Sequence, residues 1–163
     1  MHTTWNRLSY RAAESVATSA MVQVSLPDGR LHARLDRHAT GDGRARWDWR
    51  GGDLEDFSIE EEDPGDSFLL TDPVGIPFGR IGSQGTLLPR LTGSDAAAER
   101  FVIDLDGRIR ASHGRHRGLG RITVHSPAEL TVVVEVAADQ TLATLLAAAP
   151  LCHAVDPVPA HRH

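Results

Sequence analysis

The stretch MVQVSLPDGRLHARL (residues 21–35) decides the fold class of this chain. From Met21 onward the apolar residues recur with a period of two, and Leu31, Ala33 and Leu35 share one face, as in a half-buried strand. Asp28-Gly29 predicts a tight hairpin turn between two strands, because glycine accepts the positive φ that such a turn requires. The stretch therefore predicts an antiparallel hairpin.

The same alternation continues in RARWDWR (residues 44–50). Ala45, Trp47 and Trp49 point one way and four charged residues point the other, which is typical of a half-buried antiparallel strand. LEDFSIE (residues 54–60) follows two glycines and predicts a fourth strand. Together these segments predict a four-stranded meander from residue 21 to about residue 61.

A second series of strands follows a middle rich in proline and glycine, where we expect irregular chain with short edge strands near residues 68–70 and 86–91. The segments RFVIDL, IRASH, GRITVHS and ELTVVVEV predict four strands, separated by turns, between residues 100 and 136. The chain thus contains two predicted meanders.

Helical spacing is found near both ends of the chain. Five apolar residues, Trp5, Leu8, Ala12, Val16 and Ala20, fall three or four apart and predict an N-terminal helix. DQTLATLLAAAP predicts a C-terminal helix, with Asp139 as its N-cap and Pro150 as its end. Residues 151–163 are predicted to form a flexible tail.

The two meanders suggest an internal duplication. Asp28-Gly29-Arg30 aligns with Asp106-Gly107-Arg108, and with two gaps the apolar positions and the turn glycines also correspond. We expect a single domain, residues 1–163, with pseudo-repeat halves at about 21–71 and 100–149. The predicted fold is mainly β (α+β), with antiparallel meanders that form a sandwich or a barrel.

Composition excludes several classes of protein. The 163 residues carry a formal charge of −5, which disfavours nucleic acid as a partner. No apolar stretch reaches the length of a membrane span, so no membrane partner is expected. All 17 basic residues are arginine, which we interpret as the mark of a GC-rich bacterial genome. The single cysteine excludes an internal disulfide and favours a reducing compartment, so we expect a cytoplasmic protein.

RHATGDGR (residues 37–44) and RHRGLGR (residues 115–121) share an Arg-His pair followed by Gly-x-Gly-Arg. The preferred interpretation is structural: each Gly-x-Gly makes a reversal between the second and third strands of its half. The functional alternative is a pair of loops in which Arg37, His38, Arg115 and His116 bind an anion. No helix follows the glycines, so the motif is not a phosphate loop of the usual kind.

Two further groups of residues are candidate binding sites. Trp47 and Trp49 are expected in the core, but they would form the floor of an apolar ligand site if the barrel were open. Between residues 53 and 66 the chain carries eight carboxylates without the spacing of an EF-hand. We expect four of them to face solvent or a cationic partner: Glu60, Glu61, Glu62 and Asp63.

The sequence contains no recognised catalytic motif, and we assign no catalytic residue, metal or cofactor. Whether His113, His116 and His125 converge on a metal is left open, although the nearby arginines oppose it. We expect a non-enzymatic binding or assembly protein, a β-rich interaction module that binds a protein partner or self-associates. The alternative is a small β-barrel enzyme or carrier that acts on an apolar metabolite.

Overall fold

The computed structural model describes residues 5–63, 67–81, 86–88, 101–104, 106–111, 118–136 and 140–155. The described residues form twelve strands and one helix, and the strands are joined in the antiparallel sense. Their bounds are β1 Arg7–Arg11, β2 Met21–Ser25, β3 Leu31–Ala39, β4 Ala45–Gly51, β5 Phe57–Asp63, β6 Ser67–Thr71, β7 Pro77–Ile81, β8 Thr86–Leu88, β9 Phe101–Ile103, β10 Arg108–Ala111, β11 Gly118–Ser126, β12 Glu129–Val134 and α1 Gln140–Val155.

Each strand pairs with its neighbours in the chain, so the sheet is a continuous meander. β1 pairs with both β2 and β12, which places the first and last strands side by side. The prediction of a mainly β protein built from antiparallel meanders, with a C-terminal helix, is confirmed.

The prediction of an N-terminal helix is wrong. Residues 7–11 form β1, in which Leu8 and Tyr10 are buried and the flanking arginines are exposed. The apolar residues of this segment satisfy a period of two as well as a helical period, and pairing with β2 and β12 selects the strand. Val16, which belonged to the predicted helical stripe, lies in the loop after β1, where its N–H donates to the carbonyl of Pro127 at 2.8 Å.

The helix α1 is buried on all sides. Every residue from 143 to 152 is buried, and the helix contacts both β7 and β12, which lie on opposite sides of the strand order. A helix that is apolar all round belongs inside a core, and α1 belongs to the same apolar cluster as the inward faces of the strands. It therefore packs in the core formed by the buried residues of the strands.

The predicted end of the helix at Pro150 is wrong, because α1 continues to Val155. The first five residues of the predicted flexible tail thus belong to α1, and the rest lie outside the described residues. Proline inside a helix lacks an N–H and crowds the carbonyl four residues earlier. The Tyr10 hydroxyl donates to the carbonyl of Ala147 in this turn, so β1 supplies a side-chain donor to the backbone of the buried helix.

The two Gly-x-Gly motifs occupy different structures. Gly43 has φ +85° and lies in the turn between β3 and β4, as predicted. Gly118 and Gly120 lie inside β11 instead. A Cβ on Gly120 would come within 2.3 Å of the carbonyl oxygen of Val133, so this glycine permits close approach of β12. The prediction that Gly118 and Gly120 form a reversal is therefore wrong, and residues 115–117 of this motif lie outside the described residues.

Candidate functional site

Arg37 points into the sheet interior near the end of β3. It has the same parity as Ala33 and Leu35, which are buried, and it pairs in register with Trp47 of β4. Its guanidinium carbon lies 5.9 Å from the centre of the Trp47 ring. Its N–H donates to the carbonyl of Ala20 at 2.8 Å, which holds this end of β3 against the preceding loop. A cation is thus fixed over an aromatic face at the edge of the core.

Two donors of this pair are buried and have no hydrogen-bond acceptor among the described residues: Nε of Arg37 and Nε1 of Trp47. No carboxylate of the described residues lies within 4.0 Å of the Arg37 guanidinium. A buried donor without an acceptor costs about 1–3 kcal/mol, and more when it is charged. Two such donors in one place favour a missing acceptor that carries negative charge.

The surroundings of this pair are mostly apolar. Phe68 packs edge-on against Trp47 with ring centres 6.3 Å apart. On β5, Glu61 has the same parity as Ile59, the partner of Trp47, and its carboxylate accepts from the N–H of Ala45 at 3.2 Å. We call Arg37 and Trp47, with the neighbouring Phe68, the Arg37 site.

His38 does not belong to the Arg37 site, because consecutive strand residues point to opposite faces. Its Nε2 lies 3.1 Å from Oδ2 of Asp48 on the outer face. Asp48 also accepts from the Ser58 hydroxyl at 2.7 Å and from Nε of Arg46 at 3.1 Å. Burial opposes the ionisation of Asp48, but the hydrogen bonds from Ser58 and Arg46 outweigh it and hold the pKa of Asp48 below its ordinary value.

This outer-face cluster contains the residue types of a hydrolytic triad in an unproductive order. The carboxylate of Asp48 lies between Ser58 and His38, whereas nucleophilic catalysis requires the imidazole between the hydroxyl and the carboxylate. The histidine therefore has no contact with the hydroxyl proton, and the cluster is a network of surface ion pairs.

Trp49 is fully buried and stacks on Phe57 with ring centres 5.4 Å apart, so it is a core residue. His32 also packs edge-on against Trp49, with ring centres 6.4 Å apart. The His32 ring is between Trp49 and Trp5, and its Nε2 lies 3.3 Å from Oδ1 of Asp53. Trp5 donates to the same oxygen at 3.1 Å, so the group ties the start of the chain to the loop before β5.

The acidic residues predicted to meet a partner lie on β5 and already contact neighbouring strands. Glu62 binds Arg80 at 2.9 Å, and Glu60 lies 3.6 Å from Arg46. The side chain of Asp63 lies outside the described residues. A cationic partner would therefore compete with arginines of the chain itself, and the predicted role of this stretch remains a prediction.

Of the remaining candidate residues, only His125 lies in the part of the chain that the structure describes. Arg115 and His116, together with His113, lie outside the described residues. His125 contacts the hydroxyl of Thr131 at 3.1 Å on the outer face. Within the described ranges, no three histidine, cysteine or acidic side chains come close enough together to hold a metal ion.

The chain was compared with protein families, curated proteins and solved structures. No protein-family model matches the chain, and no curated protein or solved structure is significantly similar to it. In the part of the chain that the structure describes, no helix combines the length and the apolar composition needed to cross a membrane.

Proposed function

We propose that the protein is a non-enzymatic binding protein whose Arg37 site binds a carboxylate or phosphate group of its partner. The observation that carries this proposal is the pair of buried donors on Arg37 and Trp47 that have no acceptor among the described residues. An anion would accept from both and would neutralise a guanidinium that no described carboxylate neutralises. Arginine suits this role because its planar donors match carboxylate and phosphate oxygens.

The position of α1 supports binding at the edge of the core and opposes the alternative of a carrier. An apolar metabolite would need an open interior with Trp47 and Trp49 at its floor. These two side chains are 1% and 0% exposed and pack within the same apolar cluster as α1. The order of the Ser58–Asp48–His38 cluster likewise supports a non-enzymatic function.

The proposal includes two finer points about the fold. The first is that the closed order of strands works as one rigid frame around α1, which holds Arg37 at a fixed depth. The second is that the halves at 21–71 and 100–149 derive from one unit. It is supported by the turns at Gly29 and Gly107, whose φ angles are 87° and 88°. Similar turns at Gly43 and Gly75 weaken this support, because they lie at other places in the meander.

Calorimetric titration with sodium phosphate and sodium acetate at constant ionic strength tests the binding proposal. The variant is Arg37→Met, which keeps an unbranched side chain over Trp47 without the donors. The matched control is Arg34→Met on the same strand, since Arg34 points outward, is half exposed and pairs with Asp36 at 3.1 Å.

We expect saturable binding of at least one of the two anions by the wild type and by Arg34→Met. Binding by Arg37→Met should be weaker by about tenfold or more, because a hydrogen bond to a charged group contributes about 1.5–3 kcal/mol. Binding of phosphate alone or of acetate alone would identify the group. An absence of saturable binding by the wild type, or an equal loss in both variants, would refute the proposal and leave water as the acceptor.

A further inference from the structure

A second polar feature lies on the outer surface, between β10 and β11, away from the Arg37 site. It is a cleft of about 400 Å³, within the range of small-molecule sites. We call it the β10–β11 cleft, and its lining residues are Asp104, Arg108, Ile109, Arg110, Gly118, Gly120, Arg121 and Glu135.

Strand register explains the shape of the cleft. Arg108 lies opposite Arg121, and Arg110 lies opposite Gly118 across a bulge. Gly118 has no side chain to fill the space beside Arg110. A Cβ at that position would stand 3.3 Å from Oε2 of Glu135, so the glycine lets this carboxylate lie over the strand. The N–H of Glu135 donates to the carbonyl of Leu119 at 2.8 Å, which fixes its backbone beside β11.

The charges of the cleft divide into paired and unpaired groups. Arg110 binds Asp104 at 2.8 Å. Arg108 lies 3.4 Å from Asp106, and the side chains of Arg108 and Asp106 are largely exposed. Arg121 and Glu135 have no ion-pair partner within 4.0 Å among the described residues, although both line the same cleft. Arg121 lies directly opposite Arg108, a like charge, and among the described residues Asp106 is a counter-charge for Arg108 only.

The two unpaired charges define the ligand. A simple anion that approaches Arg121 meets the carboxylate of Glu135, and a simple cation that approaches Glu135 meets the arginines. A molecule that carries both charges can satisfy both groups at once. The polar lining also favours a small, polar ligand over an apolar one.

We propose that the β10–β11 cleft binds a small zwitterion, a free α-amino acid or a molecule with the same charge pattern. The ligand carboxylate lies between Arg121 and Arg108 and supplies the counter-charge that Arg121 lacks among the described residues. The ligand ammonium faces Glu135. The proposal does not depend on the Arg37 site, because the two sites share no residue.

Calorimetric titration with L-alanine, L-leucine and L-glutamine tests this inference, with propionate and ethylammonium as probes that carry a single charge. The variants are Arg121→Gln and Glu135→Gln, which keep size and polarity and remove one charge each. All proteins in this titration carry Arg37→Met, so that the carboxylate of a probe cannot bind at the Arg37 site, and the protein with this change alone is the reference. The control Arg30→Gln removes an exposed arginine of another hairpin. Circular dichroism in urea verifies that each variant folds.

We expect saturable binding of at least one of the three amino acids by the Arg37→Met reference protein and by the Arg30→Gln control. Arg121→Gln and Glu135→Gln should each weaken it by about tenfold or more, and the two single-charge probes should bind correspondingly less well. The inference is overturned if no amino acid of the panel binds saturably, if propionate binds as well as the amino acids, or if Glu135→Gln binds like the reference protein.

Discussion

Tyr10 offers a sharp test of how the helix is held, because it is the only tyrosine of a chain that has no lysine. Its side chain is fully buried, and its hydroxyl donates to the carbonyl of Ala147 in α1. Burial raises the pKa of Tyr10 well above its ordinary value of 10.0, and the neighbouring Cys152 acts in the same direction. Apart from Cys152, no other side chain is expected to lose a proton between about pH 9 and pH 12.

The sign of the pH effect follows from this raised pKa. Above pH 10 the unfolded chain loses the phenol proton while the folded protein keeps it, so the free energy of unfolding falls by about 1.4 kcal/mol for each pH unit. The stabilisation is fully present below pH 10 and is lost as the pH rises. Tyr10→Phe removes this dependence. At pH 7 the variant should be less stable by about 1–3 kcal/mol, because the carbonyl of Ala147 loses a donor in a buried place.

The difference in stability between wild type and Tyr10→Phe should therefore shrink steadily above pH 10. Urea denaturation at several pH values measures it, in a Cys152→Ala background that removes the thiol. The ultraviolet absorbance of tyrosinate in the folded protein gives the second observation. A tyrosinate signal that rises near pH 10 while the protein stays folded, or a difference that does not depend on pH, would refute the buried position of Tyr10 against α1.

Two further predictions concern backbone and charge. Gly120→Ala should lower the free energy of unfolding by about 2–4 kcal/mol, because its Cβ would collide with the carbonyl of Val133. Gly43→Ala should cost only about 1–2 kcal/mol, since its φ is positive but nothing lies within 4 Å; equal losses in urea denaturation would contradict the assigned positions. Asp48→Asn should destabilise the protein at pH 7. The difference in the free energy of unfolding between wild type and variant should disappear as the pH falls through the lowered pKa of Asp48. The ionised carboxylate of Asp48 stabilises the fold fully only above its ordinary pKa of about 4. In Ser58→Ala the free energy of unfolding should fall less steeply with decreasing pH than in the wild type over the same acid range. An equally steep fall would argue against the hydrogen bond.

Alternation with a period of two was enough to predict most of the sheet. It located β2 to β5 and β9 to β12. The alternation of buried and more exposed residues is clear in β2 and β4. It missed β1, where Leu8 and Tyr10 carry the strand period inside a longer helical pattern. It also missed β7, which begins at Pro77 and contains Gly79. Proline is tolerated as the first residue of a strand, where no ladder donor is lost.

The helix and the glycines show what local pattern cannot decide. A proline usually ends a helix, but α1 continues past Pro150. In the same part of α1 the carbonyl of Ala147 accepts a hydrogen bond from Tyr10, which lies 137 residues away in the chain. Gly120 is a glycine because of its contact with Val133, and this contact depends on strand register rather than on turn chemistry. Both facts come from tertiary contacts that a single sequence does not display.

The residues of the Arg37 site could be predicted from the sequence only in part. The sequence named Arg37 and Trp47 but grouped Arg37 with His38, although the parity that places Ala33 and Leu35 inside also places Arg37 inside and His38 outside. That signal was present in the sequence. The pairing of Arg37 with Trp47 and the burial of both donors depend on register between β3 and β4, which required the structure.

The indole N–H resonance of Trp47 tests the central claim most directly, because the proposal requires the bound anion to accept from that group. The chain has three tryptophans, so Trp47→Phe assigns the signal. During titration with the anion that binds in calorimetry, the account predicts a saturable downfield shift of the Trp47 indole proton. This shift should be absent in Arg37→Met and retained in Arg34→Met, while the Trp5 and Trp49 signals stay nearly constant. A Trp47 signal that does not move at saturation, or that moves equally in Arg37→Met, would contradict the account.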